Sequence, residues 1–208
     1  MKRVVIPTAL LAGAGLLIGG CGPADTAAHD MSSATSISAS MPAMAAGSQA
    51  PATSPAADHN EQDVMFAEMM IPHHRQAVEM AKPAEDRAGS SQVRELAAKI
   101  EAAQTPEIQT MSGWLTGWGL KAPGEGAMPM DHGMPGMMSA SDMKKLERLS
   151  GAAFDKAFLT MMIRHHEGAI AMAKEEQANG AYEPARRMAA SIVSSQSAEI
   201  RTMKELLK

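Results

Sequence analysis

Two short runs in this chain have the residue types and spacing of a soft-metal site. Met69, Met70 and Ile71 precede the pair His73-His74, and Met161, Met162 and Ile163 precede the pair His165-His166, with a single residue between in each case. On a helix, residues three and four apart share a face. Met69 and Met70 therefore fall one turn from His73, and Met161 and Met162 one turn from His165. Met80 and Met172 lie about two turns further along, past the small residues Ala77 and Ala169. Thioether and imidazole together favour Cu(I), with Ag(I) as its soft mimic, whereas imidazole alone also suits Cu(II), zinc or nickel. Methionine binds metal without losing a proton and cannot be consumed by a disulfide, which suits an oxidising compartment. Taken singly, a methionine on a helix stripe usually fills a core, and a histidine on an apolar face is usually a hydrogen-bonded core residue. A His-His pair beside Met-Met, present twice, is harder to explain as packing. Adjacent histidines point about 100° apart on a helix. The spacing leaves open which of each pair faces inward, and whether the chain makes one shared site or two.

Two further groups join this set. Gln104 with Glu107, and Gln196 with Glu199, are polar pairs three residues apart on the face that also carries Ile100 or Ile192. They would either hydrogen-bond the imidazole N–H groups from behind or line the polar margin of the face. Direct ligation of a harder metal is the third choice. Met128, Met130, His132, Met134, Met137 and Met138 fall close together around Asp131, spaced by Gly and Pro. Such a tract is either a low-complexity linker or an auxiliary capture site for Cu(I) or Ag(I), and ligand softness favours the second. His29, Met31, Met41 and Met44 repeat the theme more thinly.

The elements that must position these residues follow from an internal duplication. Residues 63–82 and 155–174, offset by 92, are identical at 11 of 20 positions, and 93–111 matches 185–203 at 9 of 19. Unrelated windows of this length would share about one. In each copy apolar residues recur at steps of three and four, the signature of helices, and no segment alternates with period two. Phe66, Met70, His73, Ala77 and Met80 mark one helix, and Leu96, Ile100, Gln104, Glu107 and Met111 the next; Phe158 to Met172 and Met188 to Met203 repeat them. Gly89-Ser90 and Asn179-Gly180 supply the stops. Two hairpins of two helices predict an all-α, four-helix bundle. Pro72 and Pro106 fall inside helices of the first copy, so a kink or a break is expected there.

The organisation predicted is a leader over 1–20, a tether over 21–57, helical repeats over 59–119 and 141–208, and a Met/Gly/Pro-rich linker over 120–140. Lys2 and Arg3, an apolar run to Ile18 and then Gly19-Gly20-Cys21 have the form of a signal peptide ending in a bacterial lipobox. Cleavage before Cys21 and lipidation of its thiol would place the protein outside the cytoplasm, anchored to a membrane. Cys21 is the only cysteine, so no internal disulfide is available. The tether is Ala, Ser, Pro and Thr with almost no large aliphatics, too little apolar surface to offset ordering. The formal charge is −4 with the leader and −6 without Lys2 and Arg3 (−4 − 2). That balance, with no basic patch, argues against nucleic acid as a partner. The chain holds 20 methionines but only three Phe, two Trp and one Tyr, so Ala, Leu, Ile and Met must build the core.

The duplicated pattern F-x-x-M-M-I-x-H-H-x-x-A-[VI]-x-M-A-K, followed by Q-x-x-E-I-x-T-M, resembles the bacterial secreted family known as domain of unknown function 305. The resemblance covers about 60–119 and 150–205. It implies a ferritin-like helical bundle and, since some members are extracytoplasmic copper-binding proteins of copper resistance, a copper role. Carried over residue by residue, it supports His73, His74, His165 and His166 with the nearby methionines as the functional set. The leading expectation is a non-enzymatic copper-binding lipoprotein that sequesters copper or hands it to a transfer protein. The alternatives are a di-iron oxidase and a metal-free interaction bundle. Di-iron chemistry wants four bundle carboxylates and Glu-x-x-His motifs, and no Glu stands three residues before any of the four bundle histidines.

Overall fold

The computed structural model describes residues 58–124 and 134–208. The leader, the lipidation signal at Cys21, the tether, and Met128, Met130 and His132 of the linker lie outside the described residues.

Six helices make up the described part: α1 (Glu61–Ala81), α2 (Ala84–Arg87), α3 (Ser91–Gly117), α4 (Ala140–Glu147), α5 (Gly151–Asn179) and α6 (Glu183–Leu206). The four long ones are the two expected hairpins, α1 with α3 and α5 with α6. The hairpins join through α1 against α5, while α3 and α6 scarcely meet. The short α2 and α4 were not legible in the periodicity. Among the described residues there is no strand, only an isolated bridge between Ala88 and Gly151. No described helix is long and apolar enough to cross a membrane.

Local sequence explains where α1 starts. Asn60 accepts from the Asp63 amide at 3.1 Å while Asp63 accepts from the Asn60 amide at 2.6 Å, a reciprocal cap for two otherwise orphaned donors. Pro72 and Pro106 do not break their helices: α1 and α3 run through them. The carbonyl that Pro72 leaves without an i+4 partner belongs to Glu68, an exposed residue, so water can serve it.

The duplication becomes a pseudo-two-fold relation. Asp63 accepts from the amides of Ala181 and Tyr182 at 3.1 and 2.9 Å, and Asp155 accepts from those of Gly89 and Ser90 at 3.0 and 2.9 Å. All three positions of each set correspond at the repeat offset of 92, so each hairpin's turn is pinned by a carboxylate from the other hairpin. The core obeys the same relation. One apolar cluster joins Ala77, Met80, Val93, Leu96 and Ile100 to Phe154, Phe158, Met162 and Met203. Its counterpart joins Ala169, Met172, Ala185, Ala189 and Ile192 to Phe66, Met70 and Met111. The symmetry-related segments carrying the histidine pairs lie between these clusters.

Candidate metal centre

All four histidines of the duplicated motif are buried, none more than 1% exposed. His73 from α1 and His165 from α5 meet directly, their ring centroids 3.8 Å apart and their planes tilted by 39°. As repeat-related residues in contact, they stand at the pseudo-two-fold axis where the hairpins join. His74 and His166 turn back into their own hairpins. His74 Nε2 lies 2.8 Å from Glu107 Oε2 on α3, and His166 Nε2 lies 2.7 Å from Glu199 Oε2 on α6.

These partners assign the ring protons. An ionised carboxylate only accepts, so Nε2 of His74 and of His166 carries the hydrogen and donates. His73 Nε2 lies 3.1 Å from the Pro135 carbonyl oxygen, also acceptor-only, so it donates as well. The Nδ1 atoms of all three rings are buried with no hydrogen-bond partner. Neither nitrogen of His165 makes a hydrogen bond of good geometry. A buried polar atom without a partner costs about 1–3 kcal/mol, so this concentration of unpartnered imidazole nitrogen makes the four rings the candidate ligand set. Burial pushes His73 down to about 3, with the neighbouring His74 adding to the effect. It holds His165 well below the ordinary histidine range, with His73 as the next cause. Both rings are therefore neutral near pH 7 and can ligate without competing protons.

The methionines of the motif belong to the two core clusters. Met70, Met80 and Met162 are fully buried, Met172 is 9% exposed, and Met69 and Met161 are half-buried against the two core clusters. Among the described residues, no three His, Cys, Asp or Glu side chains converge where they could hold a metal ion. A site at His73 and His165 thus has two nitrogens and no third His, Cys, Asp or Glu among the described residues, which leaves thioether sulfur as the soft donor type. That donor set fits a soft, low-coordinate ion and suits a di-iron centre poorly. Glu107 and Glu199, the carboxylates available for iron, are each engaged by the histidine of their own hairpin. Gln104 and Gln196 are 3% exposed, and neither Oε1 has a partner.

The end of the linker crosses this centre as a strap, an arrangement that spacing alone did not reveal. Residues 134–138 lie over α1 and α5. The Gln76 side chain donates to the Met138 carbonyl at 3.0 Å and accepts from its amide at 2.7 Å. Arg164 donates to the Met137 carbonyl at 2.8 Å. At the other end of the linker, Arg75 donates to the carbonyls of Pro123 and Gly124 at 2.8 and 2.7 Å. A Cβ on Gly168 would run into the Pro135 carbonyl and sit 2.9 Å from Gly136 Cα, so the strap passes where only glycine leaves room. Gly136 itself has φ +82°, a conformation side chains rarely adopt. Gln76 and Gly168 are repeat-related positions: one copy reaches for the strap and the other makes way for it. The strap breaks the symmetry at the centre, since it gives His73 a partner and His165 none. Met134 and Met137 ride on it half-buried, whereas Met138 is 4% exposed and packs into the first core cluster. The one signal that could have marked the strap is Gln76, a polar residue on the buried face of α1.

The relatives agree with this architecture. A crystal structure of a DUF305 protein described as secreted, from Streptomyces coelicolor, is 39% identical, covers 73% of this chain and 94% of its own, and superposes with a TM-score of 0.64. A DUF305 fragment from Deinococcus radiodurans is 36% identical over 71% of this chain and 96% of its own, also at 0.64. CopM in its Cu(II)-bound form is 34% identical over 70% of this chain and 95% of its own, at 0.62. CopM is also solved in Cu(I)-bound and Ag-bound forms. No curated protein matches the chain. The family model described as a domain of unknown function, DUF305, matches residues 63–207, from the first aspartate of α1 to the end of α6, and this chain belongs to that family.

Proposed function

We propose that this protein binds copper outside the cytoplasm, holding Cu(I) between His73 and His165 with methionine sulfur completing the coordination. The observation that carries the reading is the touching pair of buried, neutral imidazoles whose free nitrogens have no protein partner. Ag(I) would bind in the same way, and Cu(II) would rely on the imidazoles alone. His74 and His166 flank the pair, and Glu107 and Glu199 hold them in the tautomer that leaves Nδ1 free, as carboxylates do behind metal-bound histidine elsewhere. Met70, Met80, Met161 and Met162 are the sulfur donors within the same helices, while Met69 and Met172 line a groove between α1 and α5. CopM, solved with Cu(II), Cu(I) and Ag, supports the choice of metal.

The role is to hold an ion and pass it on rather than to turn over a substrate. With lipid on Cys21 and the tether beyond it, the bundle would sit at a membrane surface, where it sequesters copper or yields it to a transfer protein. Met128, Met130 and His132, with Met134 and Met137, would act as an auxiliary soft-ligand tract beside the bundle.

The test is titration of residues 58–208 with Cu(I) against a competing chelator, beside a version with His73, His74, His165 and His166 all changed to Ala. Tight binding lost in the variant is the expected result. Binding that survives moves the site to the methionine-rich linker, and no binding by either protein rejects copper.

A further inference from the structure

A second place on the molecule gathers sulfur without histidine. Between α1 and α5 runs a groove of about 430 Å³ lined by Gln62, Met65, Phe66, Met69, Met172 and Glu175, with Pro135 of the strap and Ala171 completing its wall. Met65 and Met69 are one turn apart on α1 and share a face, and Met172 faces them from α5. Three thioethers from two facing helices are the donor set for a trigonal Cu(I) or Ag(I) site.

Packing accounts poorly for this arrangement. A methionine that fills a core is buried, but Met65 is 48% exposed, one of only three large apolar side chains so open among the described residues. The duplication offers an internal control. The positions related to Met69 and Met172 are Met161 and Met80, so both copies keep these two sulfurs, but the position related to Met65 is Ala157. The core cluster on that side is packed over by Met143, Leu146 and Leu149 from α4 and its following turn. At this repeat position the sulfur thus occurs in the copy whose groove is open, whereas the copy covered by α4 has Ala157 there. The groove also has an inner neighbour: Pro135, part of its wall, is the residue whose carbonyl bonds His73.

We infer that Met65, Met69 and Met172 form a separate, solvent-accessible site for a monovalent soft cation, Cu(I) or Ag(I), at the mouth of the path to the His73–His165 pair. The inference rests on the copper reading for its direction of transfer, but not for the site itself. An ion is held there by neutral sulfur alone, with Glu175 and Gln62 at the rim. It moves inward by exchanging thioether for imidazole, with no change of oxidation state.

The experiment uses the full chain with its methionine methyl groups labelled with carbon-13, titrated with Ag(I) and followed by NMR. Three proteins are compared: the parent, Met65→Leu, and the double variant His73→Ala with His165→Ala. Leucine keeps the bulk of Met65 and removes the sulfur at an exposed position, so folding is unaffected. In the parent, the methyl signals of Met65, Met69 and Met172 are expected to shift together and saturate at one common Ag(I) equivalent. Met65→Leu should weaken that step at least tenfold while leaving the histidine-dependent ion in place. The double histidine variant should keep the groove response and lose the other ion. A Met65 signal unmoved at saturating Ag(I), or moving without Met69 and Met172, overturns the site. So does unchanged binding in Met65→Leu. If the groove responds but the histidine changes cost no ion, the central reading fails and the groove stands.

Discussion

Replacing Gly168 with Ala tests whether the strap is locked onto the centre. At an ordinary exposed helix position this change stabilises, because Ala is favoured over Gly in a helix by about 1 kcal/mol. Here the added Cβ would overlap the Pro135 carbonyl, and it would stand 2.9 Å from Gly136 Cα. Reaching an ordinary carbon–oxygen separation of about 3.4 Å requires the strap to retreat by about 1 Å or more. The His73–Pro135 hydrogen bond is already 3.1 Å long, and a retreat of that size takes it out of range. The two bonds between Gln76 and Met138 are strained by the same movement, and Gln76 is only 1% exposed, so water cannot replace them. Each buried group left unpaired costs about 1–3 kcal/mol. With at least two such groups lost against a helical gain of about 1 kcal/mol, Gly168→Ala should destabilise the fold by at least about 1 kcal/mol, read as a lower urea midpoint at unchanged slope. The His73 Nε2 proton, slow to exchange in the parent, should exchange rapidly in the variant. A variant more stable than the parent by about 1 kcal/mol, the value for an unobstructed helix position, would refute the packing of the strap described above.

Three other outcomes follow from the same geometry. Glu176 is fully buried beside Asp63, and burial, then the neighbouring Asp63 carboxylate, push it up to about 8 from 4.5. A carboxyl raised on folding stabilises below its unfolded value and loses that contribution as pH climbs to its folded value. The thermal midpoint should therefore fall between pH 5 and 8, by roughly 1–3 kcal/mol in stability, and Glu176→Gln should flatten the profile; a midpoint that rises over this range counts against the acid pair. Asp155→Ala strips two turn amides of their acceptor and should cost about 1–3 kcal/mol in denaturant unfolding, with the Gly89 and Ser90 amides losing exchange protection. Glu107→Gln with Glu199→Gln keeps the hydrogen bonds but removes the charges that fix the His74 and His166 tautomers. Copper affinity should drop by about 10–100-fold in chelator competition, and an unchanged affinity would separate the outer histidines from the metal.

Much of this protein was written in its periodicities. The steps of three and four in both copies, and the 92-residue offset, are enough to predict two helical hairpins, because a helix face and a repeat are local or self-referential properties of a chain. The candidate ligand set could be named for the same reason: His73, His74, His165 and His166 are sequence neighbours in pairs, and their methionines lie within two turns. The carboxylates behind the outer histidines were visible as a polar interruption on an apolar face, though periodicity could not tell a hydrogen-bond partner from a polar margin. Pro72 and Pro106 misled in part, since a break was one expectation and a helix whose freed carbonyl can reach water tolerates an interior proline.

What the tertiary structure decided is which of each histidine pair looks inward and what crosses above it. Adjacent histidines are equivalent to a periodicity argument; only the docking of α1 on α5 brings His73 to His165 and sends His74 and His166 back to Glu107 and Glu199. The strap is further from sequence reach. Its anchors are Gln76, 62 residues from Met138, and Arg164, 27 from Met137, on opposite helices. The reason Gly168 must lack a side chain lies in a backbone that passes over it from elsewhere in the chain. The same holds for Met65: as a residue it is one methionine among 20, and only the open groove between α1 and α5 places its sulfur with those of Met69 and Met172. Helices and their ligand types follow from local spacing, but a metal centre requires groups from separate helices to converge, and that convergence belongs to packing.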